Sequence, residues 1–160
     1  MKIGRFLALA AAVAIFAISI GSGAEALAGE QVEALSSQEL KALMEGKEAE
    51  SVLVVAVASW CSPCRRELPA LNRLFEKYRN QGLSVAAISV DAEGPQAMQP
   101  IVDQLSLDFP VYWTGETALR DYNIIAVPTL FIIKDGRTME RLLGQRSEKF
   151  LEKKIQKLLE

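Results

Sequence analysis

From Val52 to Ala58 every residue is Val, Leu or Ala, with no polar interruption. A strand with one wet face alternates apolar and polar residues. A strand with no alternation is covered on both faces, which requires a sheet sandwiched between other layers. Leu83 to Val90 is a second, largely apolar run of the same kind. Between the two, Leu71, Leu74, Phe75 and Tyr78 fall at helical spacing, and Asn80-Gln81-Gly82 supplies a stop.

The rest of the chain keeps alternating. Ser36 with Glu39 three residues on resembles a capping box ahead of Leu40, Leu43 and Met44, a short helix closed near Gly46. Gly29 to Leu35 has no strong pattern, and Lys47 to Glu50 is a charged connector. Met98, Ile101, Val102 and Leu105 predict another helix, Phe109 to Tyr112 a short strand, and Thr117 to Tyr122 a brief helix. Leu130 to Ile133 and Met139 to Leu143 flank Asp135-Gly136, a strong hairpin signal. Ser147 to Leu158 closes the chain as an amphipathic helix with Phe150, Leu151, Ile155 and Leu158 on one stripe. This order predicts an α/β fold: a central mixed sheet with helices on both faces, ended by an antiparallel hairpin and a helix. There are no internal repeats.

Composition removes several function classes. The chain has no His, which excludes Ser-His-Asp and Cys-His catalysis and every His-ligated metal site. Two Cys are too few for a disulfide scaffold or a four-cysteine zinc site. With 18 Lys plus Arg against 20 Asp plus Glu, the net charge is −2, and no basic excess exists to hold nucleic acid.

The N-terminus reads as an address. Lys2 and Arg5 precede an unbroken run of apolar and small residues from Phe6 to Ile20. Ala24-Glu25-Ala26 and Ala26-Leu27-Ala28 both offer small residues at the positions signal peptidase accepts. Residues 1–28 are thus expected to be a signal peptide cleaved after Ala28, the alternative being a retained membrane anchor. Residues 29–50 then form an N-terminal extension and residues 51–160 the main domain. That remainder is large enough to fold without a disulfide, which leaves both cysteines available for chemistry.

Those cysteines sit in Trp60-Cys61-Ser62-Pro63-Cys64, between the buried strand and a helix. Helical positions i and i+3 share a face, so the two sulfurs can meet. Cys61 falls at the helix N-terminus, where free N–H groups and the macrodipole favour a thiolate. Pro63 is well tolerated in a first turn, where its missing N–H has no partner anyway. Cys61 is therefore expected to be an exposed nucleophile and Cys64, one turn deeper, the resolving thiol. Competing readings are a zinc pair shared across a dimer, a purely structural disulfide and two inert thiols. Trp60 either shields the disulfide or contacts partners, or else merely packs at the strand end.

Val52 to Ala58, Trp60-Cys61-Ser62-Pro63-Cys64 and Val127-Pro128-Thr129 together resemble the thioredoxin fold. Glu67, the N-terminal segment and the extra stretch around Pro95 to Leu105 are similar to its exported TlpA/ResA branch. The resemblance covers roughly Ser51 to Leu158. It implies a cis peptide between Val127 and Pro128 lying against the cysteine pair, with the Val127 backbone free to pair with a substrate strand. A trans Pro opening the next strand is the alternative. It also implies that Glu67 lies beneath the active site, where desolvation disfavours its charged form and suits it to relay protons with Cys64; otherwise Glu67 is a surface residue of the first helical turns. Pro69 corresponds to the proline thioredoxins carry within this helix.

Two departures matter. The buried strand acid of ordinary thioredoxins would fall at Val55, so Glu67 is expected to be the only nearby substitute. No Pro-x-x-x-Thr-x-x-Cys motif exists, which argues against a peroxiredoxin. The resemblance implies an exported thiol-disulfide oxidoreductase acting as a reductase on protein disulfides through Cys61 and Cys64, with no bound cofactor or metal. Implied clients are apocytochrome c or other envelope cysteines, and the implied electron donor is a membrane reductase of the CcdA/DsbD type. The alternatives are a disulfide-introducing oxidase and a non-catalytic binding or chaperone module.

Overall fold

A six-stranded mixed sheet organises the chain, in the spatial order β1 (Glu33–Ala34), β4 (Val111–Trp113), β3 (Leu83–Ser89), β2 (Ser51–Val57), β5 (Thr129–Lys134) and β6 (Arg137–Leu143). It is seen in a computed structural model that describes residues 31–47 and 49–160. The export segment read at residues 1–28 lies outside the described residues. Among those described, no helix is long and apolar enough to cross a membrane.

The central strand is β2, Ser51–Val57, and every one of its residues is buried. It pairs in parallel with β3, Leu83–Ser89, from Ser51↔Leu83 to Val57↔Ser89. On its other side it pairs antiparallel with β5, Thr129–Lys134, from Ser51↔Lys134 to Ala56↔Thr129. Successive strand residues point to opposite faces, so a strand buried throughout has cover on both sides, as its unbroken apolar sequence requires.

Helix α2, Ser62–Tyr78, follows β2 and contains Pro69. A 3-10 turn at Arg79–Gln81 and a left-handed Gly82 end it. Helix α5, Glu148–Leu158, packs beside it through Arg73–Glu148 and Lys77–Glu152 ion pairs. Leu68 and Leu71 of α2 and Leu151 and Ile155 of α5 are buried in the core. Helix α3, Pro95–Leu105, buries Met98, Ile101 and Val102. Phe75 meets Phe109 edge to face, ring centroids 6.0 Å apart.

Ser36 and Glu39 form the expected capping box of α1, Ser37–Met44. Strand β6, Arg137–Leu143, returns from β5 through Asp135 and Gly136 at φ 50° and 74°. Both central turn residues are left-handed, as a tight hairpin demands. Helix α4, Glu116–Asp121, matches the brief helix expected there.

Two elements differ from expectation. Glu33–Ala34 forms β1, a two-residue edge strand pairing in parallel with β4. So short a piece carries no periodicity; its strand character comes entirely from its partner. Strand β4 is Val111–Trp113 and not Phe109–Tyr112. Pro110 has no N–H to donate, so the ladder begins after it, although its carbonyl still accepts from Ala87.

Strands β2, β3 and β4 all run to the same sheet edge, and antiparallel β5 starts there. The β2–α2 loop, the β3 exit at Asp91 and the residues before Thr129 therefore converge at one end. That is where an open α/β sheet holds its ligands.

Candidate functional site

The site is built on the turn leaving β2. The Cys61 amide donates to the Ala58 carbonyl at 3.1 Å, which folds the loop back before the helix starts. Cys61 is the N-cap of α2, with φ −83° and ψ 98°, and its Sγ accepts the Cys64 backbone N–H at 3.2 Å. Pro63 occupies the first turn. Cys61 and Cys64 are joined in a disulfide, Cα atoms 5.3 Å apart. The sulfur that would become an anion on reduction thus already sits on an N–H at a helix N-terminus, the setting that lowers thiol pKa values.

The expectation of an exposed Cys61 is corrected. In the disulfide Cys61 is 3% exposed and Cys64 fully buried, while neighbouring Trp60 is 67% exposed. Capping turns the Cys61 sulfur in toward the first turn, where Cys64 holds it. Trp60 is not a packing residue at the strand end: its ring stands largely in water.

The Val127–Pro128 peptide is cis, as the resemblance implies, and not trans. One step beyond the Ala56↔Thr129 pair, Pro128 lies level with Val57, at the end from which Cys61 emerges. The Pro128 carbonyl accepts the Gly144 amide at 2.7 Å, and the Thr129 hydroxyl donates to the Ala126 carbonyl at 2.6 Å. Val127 is half-buried and Ile125 is 75% exposed.

Glu67 is buried, one helical step beyond Cys64, which removes the surface-residue alternative. Its carboxylate accepts the Arg146 backbone N–H at 2.7 Å. Burial pushes the Glu67 carboxyl above the usual carboxylate range, and the Arg146 amide and guanidinium only partly offset this. The loop after β6 is tied to the same helix by Arg66, which donates to Ser62 and to Gln145. Neither Gln145 nor Arg146 stands out in the sequence, because their contacts with α2 span 79 residues.

The sequence also misses Asp91, and Glu67 is not the only acid near the site. Asp91 is fully buried at the end of β3 and accepts hydrogen bonds from Ser59, two residues before Cys61. Its signal was present: a lone acid directly after an apolar strand, at the sheet edge that carries the cysteines.

A disulfide at the N-cap of the helix that follows the central strand, at the same end of the sheet as a cis proline that opens an antiparallel strand, defines a thioredoxin-like protein. Residues 20–141 match the AhpC/TSA family, and the chain belongs to that family. Within this frame it is similar to the thiol-disulfide oxidoreductase ResA of Bacillus cereus (strain ZK / E33L), 35% identical over 102 residues, 62% of this chain and 58% of ResA. The chain therefore spans less than two-thirds of that relative. The thioredoxin-like protein YneN of Bacillus subtilis is 27% identical over 117 residues, 72% of this chain and 69% of YneN. Among solved structures, a protein of Chlorobium tepidum provisionally assigned as the thiol:disulfide interchange protein DsbE superposes with a TM-score of 0.66. It is 30% identical and covers 71% of this chain and 83% of its own.

Proposed function

We propose that this protein is a thiol-disulfide oxidoreductase that exchanges electrons with protein disulfides through Cys61 and Cys64. The observation that carries the reading is the Cys61–Cys64 disulfide, with Cys61 as the cap of α2 and its Sγ on the Cys64 amide. In the reducing direction the Cys61 thiolate attacks a partner disulfide, forming a mixed disulfide and releasing one partner thiolate. Cys64 then attacks the Cys61 sulfur, closing the internal disulfide and releasing the second partner thiol. Two electrons pass to the partner, and the protons of its two thiols come from solvent. Glu67, one helical step from Cys64, takes the proton as Cys64 becomes a nucleophile and returns one when the pair is reduced again. Trp60, Pro63, Val127 and cis Pro128 form the surface on which an extended partner segment rests, its backbone pairing with that of Val127.

The finer assignment follows the ResA similarity. The chain acts as a reductase in the cell envelope, exported by residues 1–28 as a signal peptide or held by them as an anchor. Residues 29–50 are an extension to the domain at 51–160. The clients are protein disulfides such as those of apocytochrome c, and electrons come from a membrane thiol reductase of the CcdA/DsbD type. No cofactor is required, and nucleic acid is not a partner.

The test is equilibration with glutathione or dithiothreitol buffers and reading of the Cys61–Cys64 couple. A potential near about −270 mV supports a reductase, and one near about −120 mV an oxidase. A Cys61→Ala variant that still reduces insulin disulfides overturns the exchange reading altogether.

A further inference from the structure

We propose that Asp91 is a positioning residue for the Cys61–Cys64 pair, its buried carboxylate clamping Ser59 and so fixing the loop that presents Cys61, an inference that rests on the exchange reading above. Both carboxylate oxygens lie 3.0 Å from the Ser59 backbone nitrogen. Oδ1 also accepts the Ser59 hydroxyl at 2.8 Å, and Oδ2 the Ser89 hydroxyl at 2.7 Å. The Asp91 amide in turn donates to the Ser89 oxygen at 3.3 Å. Every partner of the carboxylate is a donor, which suits an acceptor-only group.

The clamp has a second jaw. Arg65 donates from Nε and Nη2 to the Ser59 carbonyl, at 3.1 and 2.6 Å. Ser59 is thereby held from β3 through its N–H and hydroxyl and from α2 through its carbonyl. The Trp113 indole N–H fixes the Asp91 carbonyl at 2.7 Å, so β4 braces the acid from behind. A fully buried carboxylate is costly unless its hydrogen bonds are complete. Here the acid is spent on a loop two residues from the reactive sulfur and not on a core contact elsewhere.

The charged groups around this loop are Arg65, Arg66 and Glu67 on α2 and exposed Glu93 two residues beyond Asp91. Among the described residues none of the hydrogen bonds or ion pairs of the Asp91 carboxylate is to a cation. Its negative charge thus opposes ionisation of Cys61, while its hydrogen bonds hold the geometry. The two effects separate by substitution. Asp91→Ala removes both; Asp91→Asn keeps an oxygen for the Ser59 N–H, and the Ser89 hydroxyl can turn to accept from the new amide.

The experiment compares wild type, Asp91→Ala and Asp91→Asn in disulfide exchange with insulin, in thermal melting and in the pH profile of Cys61 alkylation. With active wild-type protein, Asp91→Ala is expected to slow exchange about tenfold or more at a temperature where it is folded, since small misplacement of a reacting group costs that much. Asp91→Asn is expected to retain most of the rate while its alkylation midpoint moves to lower pH. A folded Asp91→Ala variant with unchanged exchange overturns the inference. So does loss in both variants that follows stability alone with an unmoved midpoint. If Asp91→Ala does not fold, Ser59→Ala decides, since it removes the hydroxyl half of the clamp from the other side: slowed exchange in the folded variant sustains the role and unchanged exchange ends it. Wild-type protein without exchange activity marks instead the failure of the oxidoreductase reading.

Discussion

The Glu67 carboxylate reaches 79 residues along the chain to accept the Arg146 backbone N–H at 2.7 Å, and it does so from within the core. One hydrogen bond on one oxygen does not replace the water lost on burial, so the carboxyl is held above the usual carboxylate range. A carboxyl whose folded pKa is raised stabilises the protein fully below the unfolded pKa and loses that contribution as pH rises through the folded value. Gln cannot ionise and can still accept the amide. The melting temperature of Glu67→Gln relative to wild type should therefore climb as pH is raised from 4 toward 8. The same variant should shift the pH dependence of thiol reactivity; superimposable titration curves for the two proteins would remove Glu67 from the proton relay.

Of the two sulfur-bearing residues Cys64 is fully buried, while Cys61 keeps 3% of its surface exposed. An incoming disulfide therefore meets Cys61 first, and only Cys64 can break the resulting bond from inside. Cys64→Ala should accumulate mixed disulfides with partner proteins that dithiothreitol releases. Non-reducing gels followed by mass spectrometry would identify them, and absence of any adduct would count against Cys61 as the attacking sulfur.

Trp60 exposes 67% of its surface beside the disulfide. Truncating it should change stability by no more than about 0.5 kcal/mol, as for most surface positions. It should nonetheless lower kcat/KM for a protein disulfide, with little effect on a small one such as oxidised glutathione, because only the larger partner reaches the ring. Equal losses with both substrates would point to a change at the cysteines themselves.

Gly136 adopts φ 74°, and a Cβ there would come within 3.0 Å of the Glu45 carbonyl oxygen. Gly136→Ala should cost about 1–3 kcal/mol, combining left-handed strain with that close approach. Urea unfolding would read it as a lower midpoint at an unchanged slope. The disulfide chemistry, at the far end of the sheet, should be unaffected in the folded variant.

Much of this was legible along the chain because the relevant physics is local. Apolar runs with no alternation state that β2 and β3 are covered on both faces. Ser36 and Glu39 spell out their own cap, and Asp135-Gly136 its own turn. Cys61, Pro63 and Cys64 lie within a single helical turn, so their spacing already fixes which atoms meet. Less local features did not announce themselves. Strand β1 exists only through β4, and Pro110 shifted the start of β4 by refusing a hydrogen bond.

Sequence alone determined the alternation of elements, the disulfide-competent spacing and the helix N-terminus beneath Cys61, since each depends on contacts within a few residues. Tertiary structure decided which acids are buried and what holds them: Glu67 against the loop after β6, Asp91 against the loop after β2. Burial and long-range hydrogen bonding arise only when distant segments share one sheet edge, and no pattern within either segment contains that information.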